Sequence, residues 1–258
     1  MIIERANQED FSSLKSLWSE VFSEDPVFLE HFFTVRFASE HIFVARKDGI
    51  IVSALHALPA QYLQGGTIKE CSFIAGAATY ASHRKQGIMG ALLAAVKQAY
   101  NHPITLFPAV RPFYEANGYY TTSSVLAFPL EGIEASSAAS IPMDIEHLDS
   151  LYRTEHALHG CLLRDRKAWD FLTEGYQTLC VQNGYAFISG GKAVETCASD
   201  ETAAKELLAL LASNAVTEVH TLENSFLTRL LDRKKAVPIP MGMSTDTSMQ
   251  GVYIAEQY

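Results

Sequence analysis

The sequence predicts an α/β protein made of two units, in each of which hairpin-connected strands are flanked by helices. Apolar residues of the first half follow strand spacing and helical spacing in turn. A stretch at 131–142 is rich in Ala, Ser and Glu, lacks periodicity and predicts a linker. Beyond it the order helix, helix, three strands, helix, strand, helix, strand recurs. We therefore expect one domain at 1–130 and a second at 143–258.

The first unit is predicted to start with a strand at Ile2–Ala6 and a helix that Asn7 and Asp10 are placed to cap. Hairpin turns are predicted at Lys47-Asp48-Gly49 and Gln64-Gly65-Gly66. The other elements are helices at 11–22 and after Pro26, strands at 41–46, 50–63 and up to Tyr80, a helix from Gly87, a strand at 104–107, a helix at 111–117 and a last strand at 119–129.

The second unit is predicted to begin with two helices and to continue with strands joined by the turns Asn183-Gly184 and Gly190-Gly191. Its elements are helices at 145–157 and 167–176, strands at 178–182, 185–189 and 193–198, a helix at 201–211, a strand at 218–222, a helix after Asn224 and C-terminal strands.

A basic turn at 83–90, with the sequence HRKQGIMG, leads from the strand ending at Tyr80 into the next helix. Arg84 and Lys85 place two cations where a helix begins, and Gly87 and Gly90 let a ligand approach the backbone. A helix start also carries unpaired N–H groups and the positive end of the helix dipole. The turn therefore predicts an anion site, most naturally one for phosphate.

The spacing Arg84-x-x-Gly87, followed by Gly90-Ala91, resembles the pyrophosphate-binding signature of the GNAT acetyltransferase superfamily, whose usual pattern is Gln/Arg-x-x-Gly-x-Gly/Ala. Met89 stands where that pattern has its last small residue. The segment Pro112–Tyr119, with the sequence PFYEANGY, resembles a second element of the family at a suitable distance downstream. Because both elements occur in order, residues 1–130 resemble a GNAT acetyltransferase.

The resemblance implies an α/β (α+β) fold of two GNAT-like units, each a mixed, mostly antiparallel sheet flanked by helices. It also implies acetyl-CoA as the acyl donor and Tyr114 as the general acid beside the thioester sulfur. The strand residues Ala77, Ala78 and Thr79 would offer backbone hydrogen bonds to the pantetheine arm and the acyl carbonyl. The residues expected to hold the pyrophosphate are Arg84, Lys85, Gln86, Gly87, Ile88, Met89 and Gly90.

The second unit resembles the degenerate second domain of tandem GNAT proteins. At the corresponding helix start it has Ser199-Asp200-Glu201-Thr202, with no glycine and two carboxylates that would repel a pyrophosphate. The chain also has a more distant resemblance to the enhanced-intracellular-survival-type acetyltransferases, in which the terminal carboxylate of the chain enters the active site. Here that carboxylate would belong to Tyr258, and its role is left open.

The predicted reaction is transfer of an acetyl group to a primary amine of a small molecule or peptide, by direct attack in a ternary complex. The general base is not identified; Glu70 and His56 are the candidates. Two other functions stay open: a non-catalytic acyl-CoA-binding module that regulates a partner, and an aminoacyltransferase that uses charged tRNA. The sequence names neither the acceptor nor the length of the acyl group.

Composition restricts the remaining partners. The chain has 258 residues and a net charge of −9, which argues against a nucleic-acid face and favours an amine-bearing substrate. The four cysteines are dispersed without metal-ligand spacing, so buried free thiols and no metal are expected. No stretch has the apolar length of a membrane helix, and we expect a cytoplasmic protein. A homo-oligomer is compatible with this composition.

Overall fold

The computed structural model describes residues 1–135, 137 and 139–256, and its secondary structure follows the predicted order closely. The first half contains β1 (Ile2–Arg5), α1 (Phe11–Phe22), α2 (Pro26–Arg36), β2 (Ile42–Lys47), β3 (Ile50–Gln64), β4 (Thr67–Thr79), α3 (Ile88–Ala99), β5 (Ile104–Leu106), α4 (Arg111–Ala116), β6 (Tyr120–Thr121) and β7 (Ser124–Pro129). The second half contains α5 (Ile145–Glu155), β8 (Cys161–Leu162), α6 (Arg166–Gly175), β9 (Gln177–Val181), β10 (Gly184–Ser189), β11 (Lys192–Ala198), α7 (Glu201–Ser213), β12 (Glu218–Thr221), α8 (Phe226–Leu230), β13 (Val237–Pro240) and β14 (Met243–Ser244).

The described residues form two sheets, and both are mixed and mostly antiparallel, which confirms the predicted fold class. The first has the strand order β1-β2-β3-β4-β5-β14-β6, with β8 paired to β3. The second has the order β13-β7-β12-β11-β10-β9. The parallel strand pairs are β4 with β5 and β11 with β12, each reached through a helical connection. Cys161 also forms an isolated parallel bridge with Tyr253.

The prediction of a single last strand at 119–129 is wrong, because the chain leaves the first sheet in the middle of that stretch. β6 stays in the first sheet, whereas β7 pairs with β12 and β13 in the second. In exchange, β14 from the C-terminal region lies between β5 and β6. Strands from both sides of residues 131–142 therefore cross between the sheets, and the predicted linker does not divide one sheet from the other.

Helices α1 and α2 cover one face of the first sheet, and α3 covers the other. The α1 face is aromatic: Trp18 packs against Phe32 and Phe33, with ring centroids 4.5 and 5.4 Å apart. At Gly76 the indole lies so close that an added β-carbon would fall 1.6 Å from Trp18 Cζ2, and Gly76 also has a φ of +57°. Glycine at 76 therefore lets α1 pack directly on the backbone of β4.

The second sheet is covered by α7 and α8 on one face and by α5 and α6 on the other. The start of α7 differs from the start of α3 as the sequence predicts. The Asp200 carboxylate accepts a hydrogen bond from the Ala203 backbone N–H at 2.8 Å, and this bond lowers the pKa of Asp200. A carboxylate of the chain itself thus occupies the helix start that an anion would need.

Candidate active site

The turn between β4 and α3 is held open by two residues in the left-handed region. Lys85 has a φ of +59° and Gly87, immediately before α3, has a φ of +75°. No side chain caps this helix, and within the described residues the backbone N–H groups of Ile88, Met89 and Gly90 have no acceptor. A β-carbon added at Gly87 would have nothing within 4 Å. The helix start is therefore both unpaired and open.

The side chains of the turn leave it positively charged. Arg84 donates through Nε to the Thr79 carbonyl at 3.0 Å, which leaves the end of its guanidinium group for a ligand. Gln86 donates to the Ser82 carbonyl at 3.1 Å and braces the turn. Lys85 is exposed and has no ion pair within the described part of the chain. Two cations beside free N–H groups form an anion site.

The end of β4 has one unpaired edge. Parallel pairing with β5 stops at Ile74 and Leu106, whereas β4 continues to Thr79. The Ala78 carbonyl accepts a hydrogen bond from the Ser53 hydroxyl at 2.8 Å, on the side of β3. Because backbone groups alternate along a strand, those of Ala77 and Thr79 face the open edge and those of Ala78 do not. Of the three predicted strand residues, the structure thus brings Ala77 and Thr79 to the edge.

Tyr114 lies on α4 and belongs to the buried cluster that also contains Ile88 of α3 and against which Ala77 of β4 packs. Its ring makes edge-to-face contacts with Phe113 and Tyr119 at 5.2 and 5.8 Å. Burial raises the pKa of Tyr114, and its hydroxyl has no hydrogen bond within the described residues. The residue is thus a neutral phenol whose O–H is available at neutral pH.

Helix α4 is attached to α3 through Asn117. A β-carbon added at Gly90 would lie 3.1 Å from Asn117 Oδ1, a tight contact that the Asn117 side chain would have to relieve by a small shift. Asn117 itself donates to the Phe113 carbonyl at 2.8 Å, and Lys97 donates to the Asn117 carbonyl at 2.8 Å. The second glycine of the turn thus lets Asn117, which follows the helix of Tyr114, lie close to the start of α3.

The two candidate bases lie in different surroundings. His56 is completely buried against the rings of Trp18, Phe32 and Phe33, and neither ring nitrogen has a partner within the described residues. Burial lowers the pKa of His56 to about 3, which makes it a weak base. Glu70 is exposed and precedes Ala77 by seven residues, roughly 23 Å along a strand. Neither is placed beside Tyr114, and the general base stays unassigned.

Acid is expected to destabilise the fold between pH 6.5 and about 3, because His56 and His156 are buried as neutral groups whose pKa falls from 6.5 to about 3. Below pH 6.5 the unfolded chain binds protons that the folded chain does not, so the free energy of unfolding falls by about 1.4 kcal/mol per pH unit for each histidine. Urea denaturation at a series of pH values measures this slope.

The variant His56→Phe should flatten the slope by the share of one histidine, and His147→Phe, which removes an exposed imidazole, is the comparison variant. An unaltered slope in His56→Phe would show that the imidazole is not held neutral by burial.

A cavity of about 610 Å³ lies away from this turn, at the β3–β4 hairpin. Among the predicted residues, the candidate base Glu70 lines it, whereas the Arg84–Gly90 turn and Tyr114 do not. Arg164 and Glu256 also line the cavity, and neither was identified from the sequence. No local pattern could have found them, because Arg164 pairs with Glu195 and Glu256, 31 and 92 residues away. Tyr258 lies outside the described residues.

Within 1–135, 137 and 139–256, no group of three or more His, Cys, Asp or Glu side chains is arranged to hold a metal ion. In the same residues, no helix combines the length and the apolar character needed to cross a bilayer.

A comparison with known protein families agrees with the predicted resemblance of the first half to GNAT acetyltransferases. Residues 3–122 match the family model described as an acetyltransferase (GNAT) domain. No curated protein is significantly similar to the chain in sequence.

Solved structures share the fold over nearly the whole chain. A probable N-acyltransferase from Enterococcus faecalis V583 is 20% identical, with a TM-score of 0.74 over 97% of this chain and 73% of the other. A GCN5-related N-acetyltransferase from Anabaena variabilis is 17% identical, with a TM-score of 0.73 over 96% and 74%. Eis1 from Mycobacterium abscessus is 15% identical, with a TM-score of 0.66 over 95% and 73%. The resemblance to GNAT proteins therefore extends in fold to the second half.

Proposed function

We propose, on the premise that residues 3–122 form a GNAT acetyltransferase domain, that this protein transfers an acetyl group from acetyl-CoA to a primary amine. The acceptor would be a small molecule or a peptide that attacks the donor directly in a ternary complex. The observation that carries the proposal is the uncapped, cationic start of α3 beside the unpaired end of β4. An acyl donor with a pyrophosphate group and an extended arm fits both features.

The turn residues would hold the pyrophosphate. The N–H groups of Ile88, Met89 and Gly90 would donate to it, and Arg84 and Lys85 would neutralise its charge. Gln86 would keep the turn in shape through its bond to Ser82. The open space at Gly87 fits the close approach of a phosphate group to the backbone.

The unpaired edge of β4 would hold the arm and the acyl group. The backbone groups of Ala77 and the N–H of Thr79 face that edge, while the Thr79 carbonyl is already bound by Arg84. A backbone N–H directed at the acyl oxygen would stabilise the negative charge that develops there during attack. Ala78 would contribute by its small size within the sheet rather than by a hydrogen bond to the donor.

Tyr114 would act as the general acid. When the amine nitrogen bonds to the acyl carbon, the carbon–sulfur bond breaks and the sulfur leaves as a thiolate. The phenol O–H would give its proton to that thiolate, and the new amide nitrogen would lose a proton to solvent or to a base. Burial raises the pKa of Tyr114, so the phenol stays protonated and ready to donate at neutral pH.

Replacing Gly87 by Glu is expected to weaken acetyl-CoA binding roughly 100-fold or more, because a carboxylate would enter the anion site and repel the pyrophosphate. Isothermal titration with acetyl-CoA measures the effect. The matched control is Gly49→Glu in the β2–β3 turn, where the glycine also has a positive φ and open space.

Both substitutions introduce the same strain and the same charge, so a loss confined to Gly87→Glu assigns the site to the turn. Equal binding in the two variants would place the donor elsewhere. Absence of binding to the unaltered protein would remove the proposed function altogether. Tight binding with no turnover on any amine would instead favour the non-catalytic acyl-CoA-binding module.

A further inference from the structure

Helix α4 carries Tyr114 and is only six residues long, so its placement depends on how its two ends are held. Its start is held by Arg111, whose guanidinium group donates to the Thr121 hydroxyl at 2.7 Å and to the Met241 carbonyl at 2.6 Å. Thr121 belongs to β6, and Met241 precedes β14. The start of α4 is therefore tied to the β14–β6 edge of the first sheet.

The end of α4 is held by Asn117, which bonds through both its side chain and its backbone. The side-chain amide donates to the Phe113 carbonyl at 2.8 Å, and the backbone N–H donates to the Tyr114 carbonyl at 3.0 Å. The Asn117 carbonyl accepts a hydrogen bond from Lys97 Nζ of α3 at 2.8 Å. Asn117 thus closes the last turn of α4 and links that turn to α3.

The Asn117 side chain also reaches the start of α3. Because Gly90 has no side chain, Asn117 Oδ1 lies only 3.1 Å from the point where a β-carbon of residue 90 would be. The backbone N–H groups of Ile88, Met89 and Gly90 in this first turn have no acceptor among the described residues. The amide that ends the helix of Tyr114 therefore lies next to the turn that is expected to hold the donor.

A second asparagine of the chain separates the local part of this arrangement from the rest. Asn214 follows the last residue of α7 as Asn117 follows that of α4, and each amide donates to the carbonyl four residues earlier, at 2.8 Å. Asn214 is exposed, whereas Asn117 is half-buried. The helix-end bond is thus common to both, and at Asn117 the contact with Gly90 and the bond from Lys97 are added.

We propose that Asn117 is a positioning residue for acetyl transfer, because it ties the helix of Tyr114 to the helix that binds the donor. The inference rests on the proposed function, in which the pyrophosphate binds the first turn of α3 and Tyr114 protonates the departing thiolate. Donor and acid are then both located relative to α3. Such a tie matters because a displacement of about 1 Å between reacting groups can lower a rate roughly 100-fold.

The first test compares Asn117→Ala with Asn214→Ala. Asn117→Ala should lower kcat about tenfold and leave KM for acetyl-CoA within about twofold, because alanine removes no group that binds the donor. Asn214→Ala loses the same kind of helix-end bond and should keep its kcat. Both variants should lower the midpoint of urea unfolding slightly. A kcat that is unchanged in Asn117→Ala would overturn the inference.

The second test asks whether Asn117 acts through the phenol, and it repeats Asn117→Ala in the Tyr114→Phe background. Once the acid is absent, its position no longer matters, so the second substitution should lower kcat by less than about twofold further. A full tenfold loss in that background would show that Asn117 acts on a different group, and it would overturn the inference.

The third test needs no turnover. Asn117→Asp keeps the shape of the side chain and places a negative charge next to the first turn of α3, so isothermal titration should show acetyl-CoA binding about tenfold more weakly. Asn214→Asp, with the same change on α7, should bind it normally. Equal affinities in the two variants would overturn the inference, because Asn117 would then not lie beside the donor.

Failure of the proposed function is seen separately, in the unaltered protein. If that protein binds acetyl-CoA and transfers no acetyl group to any amine, the proposed function is contradicted and the inference falls with it. If the unaltered protein is active, the three comparisons concern Asn117 alone.

Discussion

Replacing Tyr114 by Phe should lower kcat for acetyl transfer by roughly 100-fold or more, the effect expected when a positioned general acid is removed. The ring would stay in place, because its contacts with Phe113 and Tyr119 are made by the aromatic faces and edges. The phenol hydroxyl makes no hydrogen bond within the described residues, so its removal leaves no buried partner unsatisfied. Steady-state kinetics with a saturating amine, once one is found, measures kcat.

Tyr119→Phe is the matched control for that experiment. It removes a second hydroxyl from the same aromatic cluster, one that is buried and also without a partner in the described chain. Its kcat should stay within about threefold of the unaltered value, and both variants should bind acetyl-CoA normally. A Tyr114→Phe enzyme that keeps its kcat would assign the acid to another group or to solvent.

The second large effect is expected on stability. Replacing Arg164 by Met should lower the free energy of unfolding by about 3–5 kcal/mol, because Glu195 and Glu256 would remain buried without their cation. The ring faces of Tyr152 and Trp169 also lie 4.0 and 4.8 Å from the guanidinium carbon, so cation–π attraction would be lost as well. Chemical denaturation followed by tryptophan fluorescence reports the change.

Arg166→Met provides the comparison two residues away. Arg166 is paired with Asp170 at 3.0 Å, but both side chains are exposed, so the substitution should change stability by less than about 0.5 kcal/mol. If Arg164→Met were as stable as Arg166→Met, the buried cluster would not hold the C-terminal segment against the second sheet.

The sequence predicted the local features of this protein because they depend on nearby residues. Most elements of both halves occur in the expected order, with ends that agree within a few residues. The exceptions are the predicted strand at 119–129, which is divided into β6 and β7, and β8, which was not predicted. Asn7 and Asp10 form a capping pair at the short 3-10 turn that leads into α1: Asn7 Oδ1 accepts from the Glu9 N–H at 2.8 Å, and the Asp10 carboxylate accepts from the Asn7 N–H at 2.9 Å. The glycine and the cations of the 83–90 turn are placed as a helix start requires. Such features are set by spacing, capping and φ preference, which a linear pattern records.

The tertiary structure alone decided which distant segments meet. It placed β7 in the second sheet and β14 in the first, paired β8 with β3, and brought Arg164 to Glu256. It also explains two glycines. The indole of Trp18 lies where a β-carbon of residue 76 would be, and the Asn117 side chain lies close to Gly90. Pairing between strands and burial of charge depend on residues far apart in the chain, and no periodicity within either segment records its partner.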